Sequence, residues 1–329
     1  MAAGSGVLLL CARTKTRRHT PKPGPRAFGG LVGATLLALL IRDVHAAACC
    51  VSATSFGVGR LLIWEDFAVG LQLGHARLLG QWDENARLHT NPPGYSEGIS
   101  HAQLWVIVRL HERAELQGWL PALENDRWSE DAHQIAGGIG DAGAAIRLQL
   151  LRIGEIYRLP SLALIASGFA PSGRRVEETS PPLFAGTTGL GAWGGSLAIE
   201  SEYAPSPWFV RLEAGVTGFL SFRRADNGQR QGYGPLVRAT ISSGREVVPG
   251  TLVAAGALTG EWQSKIELNG VDVPSSQAHL FSCAASLSWR FDPHWTAVAS
   301  LLNTVWPRGF GMNRDARVDV TLGVRYGHF

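Results

Sequence analysis

Residues Pro207 to Arg224 read "PWFVRLEAGVTGFLSFRR". In an extended chain, Trp208, Val210, Leu212, Ala214, Val216, Leu220 and Phe222 share one face, while Arg211, Glu213, Thr217, Ser221 and Arg223 share the other. One face suits hydrocarbon and the other suits water. The last segment repeats the pattern, with Val318, Val320, Leu322, Val324 and Tyr326 set against Arg317, Asp319, Thr321 and Arg325. "QAHLFSCAASLSWRF" does the same, setting Phe281, Cys283, Ala285, Leu287, Trp289 and Phe291 against Ser282, Ser286, Ser288 and Arg290. Sandwich strands average about five or six residues, whereas crossing a bilayer at a tilt takes about 9 to 11. These segments have the membrane length.

Working outward, composition agrees. Hydrophobic residues make up 45% of the 329, charged residues 17%, and there are 40 glycines. That leaves too few charges for an ordinary soluble surface, and too much glycine for a bundle of membrane helices. The connections give an independent signal. Turns built on Leu159-Pro160, Ala204 to Pro207, Val248 to Gly250 and Asp292-Pro293 are short. Between them lie long polar loops, "SGRRVEETSPPLFAG", "RADNGQRQGYG", "IELNGVDVPSS" and "TVWPRGFGMNRDA". Short connections at one end and long ones at the other are the asymmetry of outer-membrane barrels. Reading "HAQLWVIVRLHERAELQGWLPAL" as a hairpin, Ala102 to Leu110 and Ala114 to Leu120, gives twelve strands, an even number as closure requires. Long loops then fall at Gln81 to Ser100 and Pro121 to Gly137. The uncharged run Val247 to Gly260 is interrupted by Pro249 and reads as a turn and strand nine rather than a helix. The fold class expected is all-β, a twelve-stranded transmembrane antiparallel barrel over residues 66–329.

Residues 1–48 read as a cleaved signal peptide. Six basic residues from Arg13 to Arg26 precede the uncharged "AFGGLVGATLLALLI", and "RDVHAAA" offers a cleavage site after Ala48. Without them the chain carries 23 bases against 26 acids, so the basic pI belongs to the leader and a nucleic-acid partner is not expected. Cys49 is open to lipidation and to a disulfide with Cys50; an unlipidated start is expected. Residues 49–65 form an N-terminal segment that is expected to fold into the lumen as a plug.

No covalent chemistry, cofactor or metal is expected. "GGIGDAG" holds a formal G-x-G-x-x-G at Gly138, Gly140 and Gly143, but a strand follows where a nucleotide site needs a helix. H-E-x-x-H, Cys-x-x-Cys and G-x-S-x-G are all absent from the sequence. His75, in the first strand, is a lumen candidate only if its strand parity holds. A lipid-modifying outer-membrane enzyme would need an outward Ser and His within reach; His279 and Ser282 have opposite parity and fail. The residues expected to line a substrate path through the lumen are Arg109, Glu115, Arg147, Glu200, Glu202, Arg211, Glu213, Arg238, Glu261, Arg290 and Arg325, with Glu155 and Asp319 also inward.

Several stretches resemble a known family. "RLHERAELQGWLP", "GGIGDAGAAIRLQLL", "GFAPSGR" and "TTGLGAW" are similar to the outer-membrane transporter family of the MetA pathway of phenol degradation. The resemblance covers Ala102 to Phe329, with Ser172 standing where that family has Thr. It implies an outer-membrane barrel and uptake of aromatic or hydrophobic compounds. The function expected is passive passage of small hydrophobic or aromatic molecules, with a sealed structural or surface-interaction barrel as the first alternative and a lipid-modifying outer-membrane enzyme as the second. The expected partners are outer-membrane lipids of a Gram-negative bacterium and the barrel-assembly machinery, through the strand ending on Phe329. Tyr326 and Phe329 fall on opposite parities, which predicts a bulge at Gly327-His328.

Overall fold

The structure, a computed structural model, describes residues 59–156, 159–224, 226–304 and 309–329. The expected signal peptide and residues 49–58 of the N-terminal segment lie outside the described residues.

Twelve strands form the wall: β1 (Phe67–Trp82), β2 (Ser96–His111), β3 (Ala114–Trp128), β4 (Gly143–Leu151), β5 (Ser161–Phe169) and β6 (Gly194–Tyr203). They continue as β7 (Trp208–Phe219), β8 (Leu236–Val248), β9 (Leu252–Gln263), β10 (Ala278–Arg290), β11 (Trp295–Asn303) and β12 (Arg314–His328). Each pairs antiparallel with its sequence neighbour, and β12 pairs with β1 from Phe67↔His328 to Trp82↔Arg314. The sheet therefore closes on itself and leaves no edge of unpaired amides in hydrocarbon. Among the described residues, no helix is long and apolar enough to cross a membrane. Strand number, antiparallel closure and the alternation of short and long connections match the sequence expectation.

Alternation sorts the side chains. Leu71, Leu104, Val106, Ile146, Leu164, Leu197, Leu212, Ile241, Leu258, Leu287 and Leu322 are exposed large apolar groups on the outer face. At the short-turn end, Trp208, Trp289, Phe291 and Trp295 are also exposed, forming an aromatic belt of the kind that sits at a bilayer surface. Bulges shift the register at Arg109/His111, Gln149/Leu151 and Glu246/Val248, all close to short turns, and at Leu78/Gly80 near a long loop. Rims are where barrels tolerate such irregularity, because the local ladder is already ending.

Three expectations change. Pro121 to Gly137 is not a loop: β3 runs to Trp128 and pairs with a further strand, His133–Ile139, so the hairpin projects beyond the apolar band. On β3 there, Glu124 and Asp126 face out while Asn125 and Arg127 face in, so polar residues on both faces hide the period-two signal. Phe222 does not continue the outer face of β7. It lies after the strand ends, in a four-stranded sheet formed with Arg230–Gly232, Glu267–Leu268 and Val271–Asp272 of the loops. The ladder of β12 runs without a shift through Gly327↔Ala68 and His328↔Phe67, so there is no bulge at Gly327-His328. Phe329 follows the last paired residue and stacks on His294 at 4.5 Å between ring centroids. A ring contact across the turn, rather than a bulge, sets its position.

Candidate functional site: the barrel lumen

The inward faces of the strands carry a layer of charge toward the short-turn end. Glu200 on β6 is 1% exposed and accepts from Arg147 of β4 at 2.7 Å and from Arg211 of β7. Glu115 of β3 lies 3.9 Å from Arg147, and Glu213 of β7 lies 3.9 Å from Arg211. Buried ions cost several kcal/mol each unless they are paired, so these residues hold one another in place.

Residues Gly59 to Asp66, ahead of β1, join this layer. The Arg60 guanidinium donates to Glu202 of β6 at 2.8 Å, reaching a strand five positions around the wall from β1. Glu65 accepts from Arg325 of β12 at 2.7 Å, and its other oxygen accepts from the Leu62 amide at 2.7 Å. Arg109 of β2 donates to the carbonyls of Leu62 at 2.6 Å and Glu65 at 2.8 Å. Leu61 packs with Ala68, Trp105 and Ile107. Apolar packing holds one side of the segment, and ion pairs hold it to β6 and β12.

Nearer the long-loop end the inward side chains are small hydroxyls. Ser167 and Ser196 lie 2.6 Å apart, and Thr240 and Thr259 lie 3.0 Å apart. Thr217, Ser282 and Ser300 are half-buried on the same inner surface. Arg238 and Glu261 form a half-exposed pair at 2.6 Å. Where β5 and β7 end, Phe169 and Phe219 meet edge to face at 5.8 Å. Tyr233 sits 5.7 Å from Phe219 and 5.9 Å from Phe222, and the Arg175 guanidinium lies over the Phe222 ring at 4.5 Å. Burial pushes the Tyr233 hydroxyl up from its ordinary pKa, with nearby Glu177 acting in the same direction.

The connection from β5 to β6 is fastened where three of the quoted motifs meet. Asp141, of the "GIGD" stretch, accepts from the amides of Gly173 at 3.0 Å and Leu190 at 2.8 Å. The Ser172 hydroxyl, of "PSGR", donates to the Gly140 carbonyl at 2.6 Å and accepts from the Ala142 amide at 2.8 Å. The Thr188 hydroxyl, of "TTGLG", donates to the Ile139 carbonyl and accepts from the Arg174 amide. A Cβ on Gly173 would stand 2.7 Å from the Gly189 Cα, so both positions need glycine for this approach. Asn125 and Arg127 of β3 then donate to the carbonyls of Ala185, Thr187 and Leu183, drawing the connection over the lumen.

Of the residues expected on the lumen path, Glu115, Arg147, Glu200, Glu202 and Arg325 are buried in the charged layer. Arg109, Arg211, Glu213, Arg238, Glu261 and Arg290 are inward and partly exposed, and Asp319 lies 4.0 Å from His101. Glu155 is not inward. It sits in the turn after β4, paired with Arg113 at 2.5 Å, because β4 ends at Leu151. His75 is a second correction: it shares the exposed outer face of β1 with Leu71 and Leu73, and its Nδ1 lies 3.2 Å from the Ser100 hydroxyl. Arg60 and Glu65 were not singled out from the sequence. They fall in an irregular segment where no periodicity assigns a face, and their partners are 142 and 260 residues away.

A closed antiparallel barrel with an apolar outer band, an aromatic belt and a polar interior is a transmembrane barrel of the outer-membrane type. The chain is similar to a solved outer-membrane channel from Pseudomonas putida F1, with a TM-score of 0.66 and 14% identity over 80% of this chain and 95% of that one. It is also similar to the β domain of the Bordetella autotransporter BrkA (TM-score 0.46, 14% identity, 80% and 99% covered). A third is the translocator domain of the autotransporter NalP from Neisseria meningitidis (TM-score 0.45, 12% identity, 91% and 95% covered). The first likeness carries the fold assignment. No family model and no curated protein matches the chain.

Proposed function

We propose that the protein is an outer-membrane channel for passive passage of small hydrophobic or aromatic molecules, with its short turns in the periplasm and its long loops outside. The observation that carries this reading is the division of the lumen. A hydroxyl-lined upper part lies below an aromatic mouth, and a lower layer is crossed by a segment that ion pairs tie to the far wall. Aromatic side chains at the mouth offer faces to flat apolar solutes. Ser and Thr present little bulk along the wall. Residues 59–65 act as a plug that the pair Arg60–Glu202 helps to hold against β6. Outer-membrane lipids surround the apolar band, and the strand ending on Phe329 is what the barrel-assembly machinery engages.

Reconstitution into liposomes tests this. The wild-type chain is expected to conduct weakly and to speed the uptake of a small aromatic solute, and Glu202→Gln, which removes the negative charge facing Arg60, is expected to raise both severalfold. If neither chain conducts ions or speeds the uptake of any aromatic solute, the reading falls. The alternative of a sealed structural barrel, favoured by the segment crossing the lumen, then stands.

A further inference from the structure

On the outer wall, the change from apolar to polar falls on one row of three strands. In register, Leu73, Ala102 and Ala122 lie side by side on β1, β2 and β3, and the next outward row is His75, Ser100 and Glu124. All three of these polar residues are exposed. On these three strands the row therefore marks the upper edge of the apolar band, at the depth where the headgroups and acyl esters of the outer leaflet meet water, while Val320 of β12, paired with His75, is still apolar.

Two features set this row apart from an ordinary rim. His75 and Ser100 are directly opposed across the strands, and the imidazole Nδ1 lies 3.2 Å from the Ser100 hydroxyl, within reach for proton transfer. The residue diagonal to His75 on β2 is Gly98, and a Cβ there would stand 3.1 Å from the His75 Cε1 and 3.5 Å from Nε2. The absent side chain gives the ring its place across β2. Arg77 is opposite Gly98 on the same outer face, one diagonal from Ser100, a spacing of about 7 Å that a long side chain spans.

We propose that Ser100 and His75 form a nucleophile and base that cleave fatty acyl esters of outer-leaflet lipids, with Arg77 attracting the developing oxyanion and the lipid phosphate. The Ser100 oxygen attacks the ester carbonyl carbon and its proton passes to His75 Nδ1. The carbonyl-to-alkoxide bond breaks, the departing alkoxide takes the proton from His75, and the acyl group remains on Ser100. Water then attacks the acyl ester, giving a proton to His75. That proton returns to the Ser100 oxygen as the fatty acid leaves. Gly98 is a positioning residue. This activity is independent of passage through the lumen, because none of its residues faces inward.

The experiment exposes the purified full chain, folded in detergent and lipid, to a fluorophosphonate probe. In parallel, fatty acid release is measured from phosphatidylethanolamine vesicles and from lipopolysaccharide. Wild type is expected to be labelled on the peptide carrying Ser100 and to release fatty acid from at least one lipid, and the two arms identify which. Ser100→Ala should abolish both signals, and His75→Ala should slow both by about a hundredfold or more. Gly98→Ala should slow labelling with the wild-type electrophoretic heat shift and liposome conductance retained. Absence of labelling at Ser100, labelling unchanged in His75→Ala, or no release from either lipid overturns the proposal. Retained conductance in these variants separates that failure from failure of the channel reading.

Discussion

The two ends of the lumen are made by the same strands and hold their side chains by opposite means. Near the short turns, Glu200, Arg147, Arg211, Glu202, Arg60, Glu65 and Arg325 are joined by charge and largely hidden from water. Near the long loops, Ser167, Ser196, Thr240 and Thr259 touch in neutral pairs on a half-buried surface. A neutral hydroxyl can exchange a protein partner for water at little cost, whereas a buried ion that loses its partner has none. The lower layer therefore acts as a fixed frame, and the upper surface remains adaptable.

The strongest way to break that contrast is Glu200→Leu. It leaves buried Arg147 and Arg211 with only the more distant carboxylates of Glu115 and Glu213, and is expected to destabilise the barrel by about 3 to 5 kcal/mol. Urea unfolding in lipid, followed by the electrophoretic shift between folded and unfolded forms, measures it. Asp141→Ala should cost less, about 1 to 3 kcal/mol, since it leaves the Gly173 and Leu190 amides without their acceptor. Its clearest sign should be faster proteolysis within residues 170–193, with the wall still folded. Thr240→Ala is the sharpening case, expected at about 1 kcal/mol or less because lumen water replaces the lost partner. A cost for Thr240→Ala as large as that of Glu200→Leu would erase the distinction between the two regions.

Much of the wall was legible because a barrel strand has two solvents, and Val210, Leu212 and Val216 against Arg211, Glu213 and Thr217 record them residue by residue. The code weakens where both faces meet water, which is why the hairpin beyond Pro121 read as loop. It is silent where the chain is irregular, so the places of Arg60 and Glu65 could not be read. The inward orientation of Arg147 and Glu200 follows from parity alone. Their pairing does not, because it depends on register across β4 to β6, which only the closed ladder defines. The quoted motifs were visible as glycine-rich stretches, but their meeting at Asp141 joins segments 32 and 49 residues apart. His75 shows the limit of a type-based guess: a polar aromatic suggests a lumen, yet its parity with Leu71 and Leu73 places it outside.

The contact between Glu65 and Arg325 also bears on the order of events in assembly. The two residues lie 260 positions apart, one just ahead of β1 and the other near the end of β12. Loop closure over such a span is a late event in folding. The Glu65 end of the segment thus gains its bond to β12 only when the last strand joins the first. A half-assembled barrel would lack both its seam and this bond, and one zipping step would complete the two together.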